Sequence, residues 1–179
     1  MASDTNKGCV LLVDDEDAIR ESLGELLEAC GFVTHRANCV DNAIKLLDKQ
    51  FDVEAIVSDM KMPGKTGIDL LHYLNEHDRK IPVIFLTGYG TLETCQEAVR
   101  SGAFDYILKP LDDKDKVLMP LSHAVEQFRL RQNNEELKRD ILLMAEEHEK
   151  LLDAILNDVE TKDLVQEKIS SIVKKWDKK

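Results

Sequence analysis

The sequence predicts an α/β fold: a doubly wound parallel sheet with helices on both faces, followed by a long helix or helical hairpin. Three observations carry this. Short apolar runs alternate with amphipathic segments five times between residues 9 and 125, and right-handed crossovers turn such βα repeats into a parallel sheet. The runs CVLLV (9–13) and PVIFL (82–86) are apolar throughout, as strands covered on both faces are. From Val117 to Trp176 there is no strand pattern and no glycine.

In order along the chain, Cys9–Val13 is the first strand. Asp17 to Cys30 is a helix, with Ile19, Leu23, Leu26 and Leu27 at helical spacing and Gly31 closing it. Phe32–Arg36 is a short second strand. Asp41 to Lys49 is a helix carrying Ala43, Ile44, Leu46 and Leu47 on its apolar side. Val53–Ser58 is the third strand, Met62 to Gly67 a loop, and Ile68 to Glu76 a helix. Pro82–Leu86 is the fourth strand, Leu92 to Arg100 a helix, and Phe104–Leu108 the fifth strand, followed by Lys109 and Pro110. Residues 1–8 are expected to be a disordered N-terminus, 9–125 the α/β domain, and 126–179 an amphipathic helical extension.

Composition excludes several functions. The 179 residues carry a net charge of −11, which phosphate backbones and anionic lipid repel, so neither nucleic acid nor membrane is an expected partner. Aromatics make up only 5% of the chain, too few for a base-stacking surface. Cys9, Cys30, Cys39 and Cys95 form no C-x-x-C pair, so they are expected as reduced thiols rather than zinc ligands or disulfides. Residues 1–8 lack the apolar core of a signal peptide. No apolar run approaches the ~20 residues of a membrane span. A cytoplasmic protein is expected.

Ligands of open α/β sheets bind beyond the carboxyl ends of the strands, where strand order reverses. Asp14, Asp15 and Glu16 follow the first strand, Asp59 ends the third, Thr87 and Gly88 end the fourth, and Lys109 follows the fifth. Carboxylates gathered on one rim need a compensating cation. Several Asp oxygens with no His or Cys favour a hard ion such as Mg²⁺. A metal, a lysine, a hydroxyl and free amides together suit a phosphoryl group in transfer. A carboxylate is a competent phosphoryl acceptor, and Asp59, single and central, is the expected nucleophile. The bland alternatives are that Asp14 and Asp17 are helix caps and that Lys109 is a solvated turn residue. The joint placement at four strand ends favours the site.

These residues resemble a two-component response-regulator receiver domain. The resemblance rests on VLLVDDEDAIR (10–20), SDMKMPGKTGIDLL (58–71), PVIFLTGYG (82–90) and SGAFDYILKP (101–110), over about two thirds of the chain. LTGYG and AFDYILKP make it most similar to receivers of the nitrogen-regulator kind. The resemblance implies a flavodoxin-like sheet of order 2-1-3-4-5 and phosphorylation of Asp59 by a sensor histidine kinase or phosphotransfer protein. It implies Mg²⁺ held by Asp15, Asp59 and the Lys61 carbonyl, with Asp14 acting through a water. Lys109, Thr87 and the Met60 and Gly88 amides would contact the phosphoryl group. Thr87 and Tyr106 would form the switch pair, Tyr106 turning inward, and the Lys109–Pro110 bond would be cis. The alternative for Tyr106 is a plain core aromatic.

The extension shows no helix-turn-helix with a basic face and no Walker loop. Its seam is two interleaved rows seven residues apart: Leu130, Leu137, Met144, Leu151, Asp158, Val165 and Ile172, and Asn134, Ile141, His148, Ile155, Lys162, Ile169 and Trp176. Ten of these fourteen are apolar. Leu142, Leu143, Leu152, Leu156 and Leu164 broaden the stripe toward a hairpin or an inter-chain bundle, with a break expected at Asn157–Asp158. Pro120 is expected near the start of the last helix or at a kink. A homodimer through residues 121–176 is expected. His148 is read as a polar seam residue rather than a phosphoacceptor. The function expected is a phosphorylation-switched signalling protein and not an enzyme beyond its own phosphoryl transfer and autodephosphorylation. The alternatives are a phosphorelay intermediate or phosphate sink, or the N-terminal part of a larger regulator.

Overall fold

A computed structural model describes residues 6–49, 52–88, 92–157 and 167–168. Five strands alternate with five helices: β1 (Cys9–Val13), α1 (Asp17–Ala29), β2 (Val33–Ala37), α2 (Val40–Asp48), β3 (Ala55–Asp59), α3 (Gly67–Glu76), β4 (Val83–Thr87), α4 (Leu92–Ser101), β5 (Asp105–Leu108) and α5 (Asp115–Asn157). All strand pairs are parallel, in the order β2-β1-β3-β4-β5. The chain forms two compact units, Met1–Arg131 and Gln132–Lys179.

The period of two along each strand sends alternate residues to opposite faces. Leu11, Val13, Ile56, Val83 and Phe85 join residues of α2, α3 and α4 in one core. Val10, Leu12, Val57, Ile84, Leu86 and Ile107 join α1 and the start of α5 in the other. Strands with two buried faces explain why CVLLV and VIFL show no polar alternation. β5 lies at the sheet edge, and only Ile107 of its residues is buried.

The apolar runs locate the strands to within two residues, but pairing shifts some of them. β3 begins at Ala55 and not Val53, and β4 at Val83 and not Pro82. Pro82 has no N–H to offer a ladder; its carbonyl still accepts from Ile56 N at 2.9 Å. Asp59 and Thr87 thereby become the last residues of paired strands. Residues 6–8, expected to be disordered, extend the sheet: Lys7 N donates to Gly31 O at 3.0 Å and Val33 N to Gly8 O at 2.9 Å. Residues 1–5 lie outside the described residues. Pro120 is the sixth residue of α5, inside the helix.

Helix ends follow local chemistry. Gly31 (φ 93°) closes α1: its N–H donates to Glu28 O and Phe32 N to Leu27 O, the paired bonds of a Schellman motif. Gly102 (φ 85°) closes α4 the same way, with bonds to Val99 O and Ala98 O. The end of α3 repeats these bonds, Asp78 N to Asn75 O and Arg79 N to Leu74 O, but with Asp78 at φ 51°.

A side chain in the left-handed region costs conformational energy that glycine does not, and an acid opposes the negative end of the helix dipole. Asp78→Gly is therefore expected to raise stability by about 0.5–1 kcal/mol, read as a higher urea midpoint at unchanged slope.

Candidate functional site

The two halves of the sheet diverge between β1 and β3, and the rim beyond their carboxyl ends is where a ligand fits an open parallel sheet. Asp14 directly follows β1, and its N–H extends that ladder by donating to Ala37 O at 3.2 Å. Asp59 ends β3 and Thr87 ends β4. Lys109 follows β5 and is tied to β4, its N–H donating to Thr87 O at 2.8 Å. Backbone pairing thus delivers these side chains to one place.

There the Lys109 ammonium lies 3.0 Å from Asp14 Oδ2 and 3.2 Å from Asp59 Oδ2, with Glu16 Oε1 at 3.6 Å. Asp14 is 2% exposed, Asp59 8% and Thr87 4%. Asp15 is exposed, yet one carboxylate oxygen from each of Asp14, Asp15 and Asp59 lies within 4.8 Å of the others. Three oxygens so spaced, without nitrogen or sulfur donors, suit a hard divalent cation such as Mg²⁺. Lys109, with 15% of its side chain exposed, is no solvated turn residue. Asp14 does make a local turn bond, its Oδ1 accepting from Glu16 N at 2.9 Å, but its other oxygen belongs to the cluster.

Burial pushes the Asp14 carboxyl above its ordinary range, and the Asp59 charge adds to this. The Glu16 N–H and the Lys109 ammonium pull the other way without cancelling it. Burial also works against the Lys109 ammonium, but Asp14 and Asp59 outweigh it, and its pKa moves up. The lysine stays charged because the acids need it.

One expected donor is displaced. The Met60 N–H donates to Leu86 O at 2.9 Å, continuing the β3–β4 ladder, so it does not face the rim. The next amide, Lys61 N, lies 3.2 Å from Asp59 Oδ1. Tyr106 is no core aromatic: it is 36% exposed and lines a hollow of about 280 Å³ with Gln96, Val99 and Arg100. The Lys109–Pro110 bond is cis. Gly88 is exposed, with open space where a Cβ would stand.

Two supports escaped the sequence. Gly67 opens α3 directly against the end of β3: a Cβ there would stand 2.5 Å from Asp59 O, 2.9 Å from Phe85 Cε1 and 3.0 Å from Ser58 Oγ. Thr66 and Asp69 form a capping box, Thr66 Oγ1 accepting from Asp69 N at 3.3 Å and Asp69 Oδ2 from Thr66 N at 2.7 Å. The signal for the box was present as T-x-x-D; nothing local marks Gly67.

Comparison with known proteins gives the same direction. Residues 10–119 match the family described as the response regulator receiver domain. The chain is 40% identical over 103 residues to regulatory protein AtoC of Escherichia coli, covering 58% of this chain and 22% of that one. It is 33% identical over 162 residues to transcriptional regulatory protein FixJ of Azorhizobium caulinodans, covering 87% and 74%. It is 35% identical over 135 residues to the putative NtrX-like response regulator of Rickettsia conorii, covering 74% and 28%. The chain thus spans about a quarter of the length of two of these relatives and three quarters of the third. Among solved structures, a response regulator receiver domain protein of Clostridium thermocellum superposes with a TM-score of 0.60 at 28% identity, covering 70% of this chain and 97% of that one.

Two outcomes follow from this geometry. Gly67→Ala is expected to cost about 1–3 kcal/mol, because backbone and ring atoms must yield; chemical denaturation reads it. Asp14 carries a carboxyl whose folded pKa lies above the unfolded value, so its ionisation weakens the fold as pH rises through that range. Asp14→Asn is therefore expected to raise the urea midpoint at pH 7 in metal-free buffer. The gain should fade as pH falls into the carboxylate range, where the native side chain is neutral too.

Proposed function

We propose, since this chain belongs to the response regulator receiver family, that Asp59 is its phosphoacceptor and that phosphorylation there switches what the protein contacts. The observation that carries this is the Lys109 ammonium, within 3.2 Å of buried carboxylates at the ends of β1 and β3 and tied through its backbone to Thr87.

The donor is the phosphohistidine of a sensor histidine kinase or phosphotransfer protein. An Asp59 carboxylate oxygen forms the new O–P bond as the donor's N–P bond breaks, and the imidazole leaves with the electron pair. Asp14, Asp15, Asp59 and the Lys61 carbonyl would hold Mg²⁺, which when bound offsets negative charge on the phosphoryl oxygens. Lys109 presents its ammonium to the same oxygens. The Thr87 hydroxyl and the amides of Gly88 and Lys61 donate to the rest, Lys61 taking the place first expected of Met60.

The acyl phosphate adds ~1.5–2 negative charges at neutral pH. Lys109 is then shared among more acceptors, and Thr87 is drawn toward the new group. Tyr106, half-exposed beside α4, is the side chain that follows inward. The activity is signalling, with no turnover beyond phosphoryl transfer to Asp59 and its loss. The net charge of −11 argues against direct nucleic-acid contact. Among the described residues no helix is long and apolar enough to cross a membrane, and Cys9, Cys30 and Cys39 are free thiols, which favours the cytoplasm. Output passes through association of two copies by the helices between 121 and 176, supported by exposed Leu130, Leu137, Ile141 and Met144 on α5. Of that stretch, 158–166 and 169–176 lie outside the described residues, and with them Asp158, Lys162, Val165, Ile169, Ile172 and Trp176.

With acetyl phosphate as donor, the wild type is expected to take up one acyl phosphate only when Mg²⁺ is present, and Asp59→Asn to show none by mass spectrometry. Asp15→Asn should raise the Mg²⁺ concentration needed by roughly tenfold or more. Label on the Asp59→Asn chain would sink the assignment. Rapid loss of label with no change in mass of the assembly would instead favour a phosphate sink.

A further inference from the structure

At the end of the sheet away from the rim, where β4 and β5 begin, lies a hollow of about 420 Å³. Its walls come from the end of α3, the turn into β4, the turn into β5, and Gln127 and Arg131 of α5, all within the first unit. Three cations line it, Arg79, Lys80 and Arg131; among the described residues no acid does, in a chain of net charge −11. Arg79 pairs with Asp48 at 2.8 Å and Lys80 with Asp78 at 3.4 Å. Partly exposed pairs of this kind are weak, and both cations have donors to spare. Among the described residues Arg131 makes no ion pair. The exposed amides of Asn75 and Gln127 line the same hollow. Ile81 and Phe104 give it an apolar wall, each half-buried and packed against a core. A concave site of this volume, with an apolar wall and a few polar groups, suits a small organic ligand.

We propose that this hollow binds a nucleoside polyphosphate, its phosphates on Arg79, Lys80 and Arg131 and its base against Phe104. Guanidinium and ammonium groups are the side chains that bind phosphate. An aromatic face stacks a base, and Asn and Gln amides pair with the hydrogen-bonding edge of adenine, which makes an adenine nucleotide the best match. α3 and α4 both end here, and the C-terminal end of a helix repels anions. The caps blunt that repulsion: the carbonyls of Leu74, Asn75, Ala98 and Val99 accept from the N–H groups of Arg79, Asp78, Ala103 and Gly102. The plainer use of the three cations is to neutralise those two helix ends. The chain carries no Walker loop, so the nucleotide is bound and not hydrolysed.

The test uses the full chain without Mg²⁺, so that the acidic rim repels the probe. Calorimetric titration with ATP at low salt is expected to show saturable binding to a single site, weakening as salt rises. Lys80→Glu and Arg131→Glu, both at exposed positions, are each expected to weaken ATP by about tenfold or more, with the urea midpoint unchanged. Gln127→Ala is expected to weaken ATP about fivefold and to leave inorganic tripolyphosphate as it was. Tripolyphosphate itself should bind the wild type more weakly than ATP does. No saturable binding of ATP, or binding that both Glu variants retain in full, would overturn the proposal and leave the cations to the helix ends. Tripolyphosphate binding as tightly as ATP, with Gln127→Ala without effect, would overturn the nucleoside class.

Discussion

The structure depends on one ammonium group held between two buried carboxylates. Asp14 and Asp59 stand too close together at the floor of the rim to be ionised without compensation. Lys109 supplies it at 3.0 and 3.2 Å. The arrangement leaves the cluster acidic overall, with Asp15 and Glu16 adding charge at its mouth. Its three clustered carboxylates could hold a hard divalent cation. The burial that raises the Asp14 pKa also shields the charges from water and makes each interaction among them stronger.

The fold exists around this rim as a set of backbone ties. Lys109 is positioned by its N–H on Thr87 O, Asp14 by its N–H on Ala37 O, and the turn after Asp59 by the Met60 N–H on Leu86 O. Each bond continues a ladder one residue beyond its strand. Stiff strands with both faces packed therefore determine distances between side chains that are up to 95 residues apart in sequence. Gly67 permits α3 to begin against the Asp59 carbonyl, and the Thr66–Asp69 box holds that start in place.

The helical extension obeys a different constraint. Leu137, Ile141, Leu142, Leu143, Met144 and Leu152 are exposed along it, which is costly in water unless another surface covers them. Within the first unit, Val117, Leu121, Ala124 and Val125 of α5 are buried in the second core. Arg129 adds an ion pair to Glu54, with Nε 2.5 Å from Oε1, and Glu54 also accepts from Cys9 N. The part of α5 that belongs to the first unit is thus tied to the starts of β1 and β3.

The sequence alone determined the alternation of strands and helices, because burial of both sheet faces writes itself as short apolar runs between amphipathic ones. It also determined which side chains gather at the rim, since residues just past the strands of a parallel sheet all leave by the same end. Gly31 was legible as a helix stop because its need for positive φ is local. Tertiary structure alone decided the rest. Whether the Met60 or the Lys61 amide faces the carboxylate depends on which N–H the neighbouring strand takes, a matter of register that no single strand encodes. The necessity of Gly67 comes from the Asp59 carbonyl and the Phe85 ring arriving at the same spot, and the exposure of Tyr106 from β5 lying at an edge. Local chemistry is carried by neighbours in the chain; close approach is set by elements that meet only after folding.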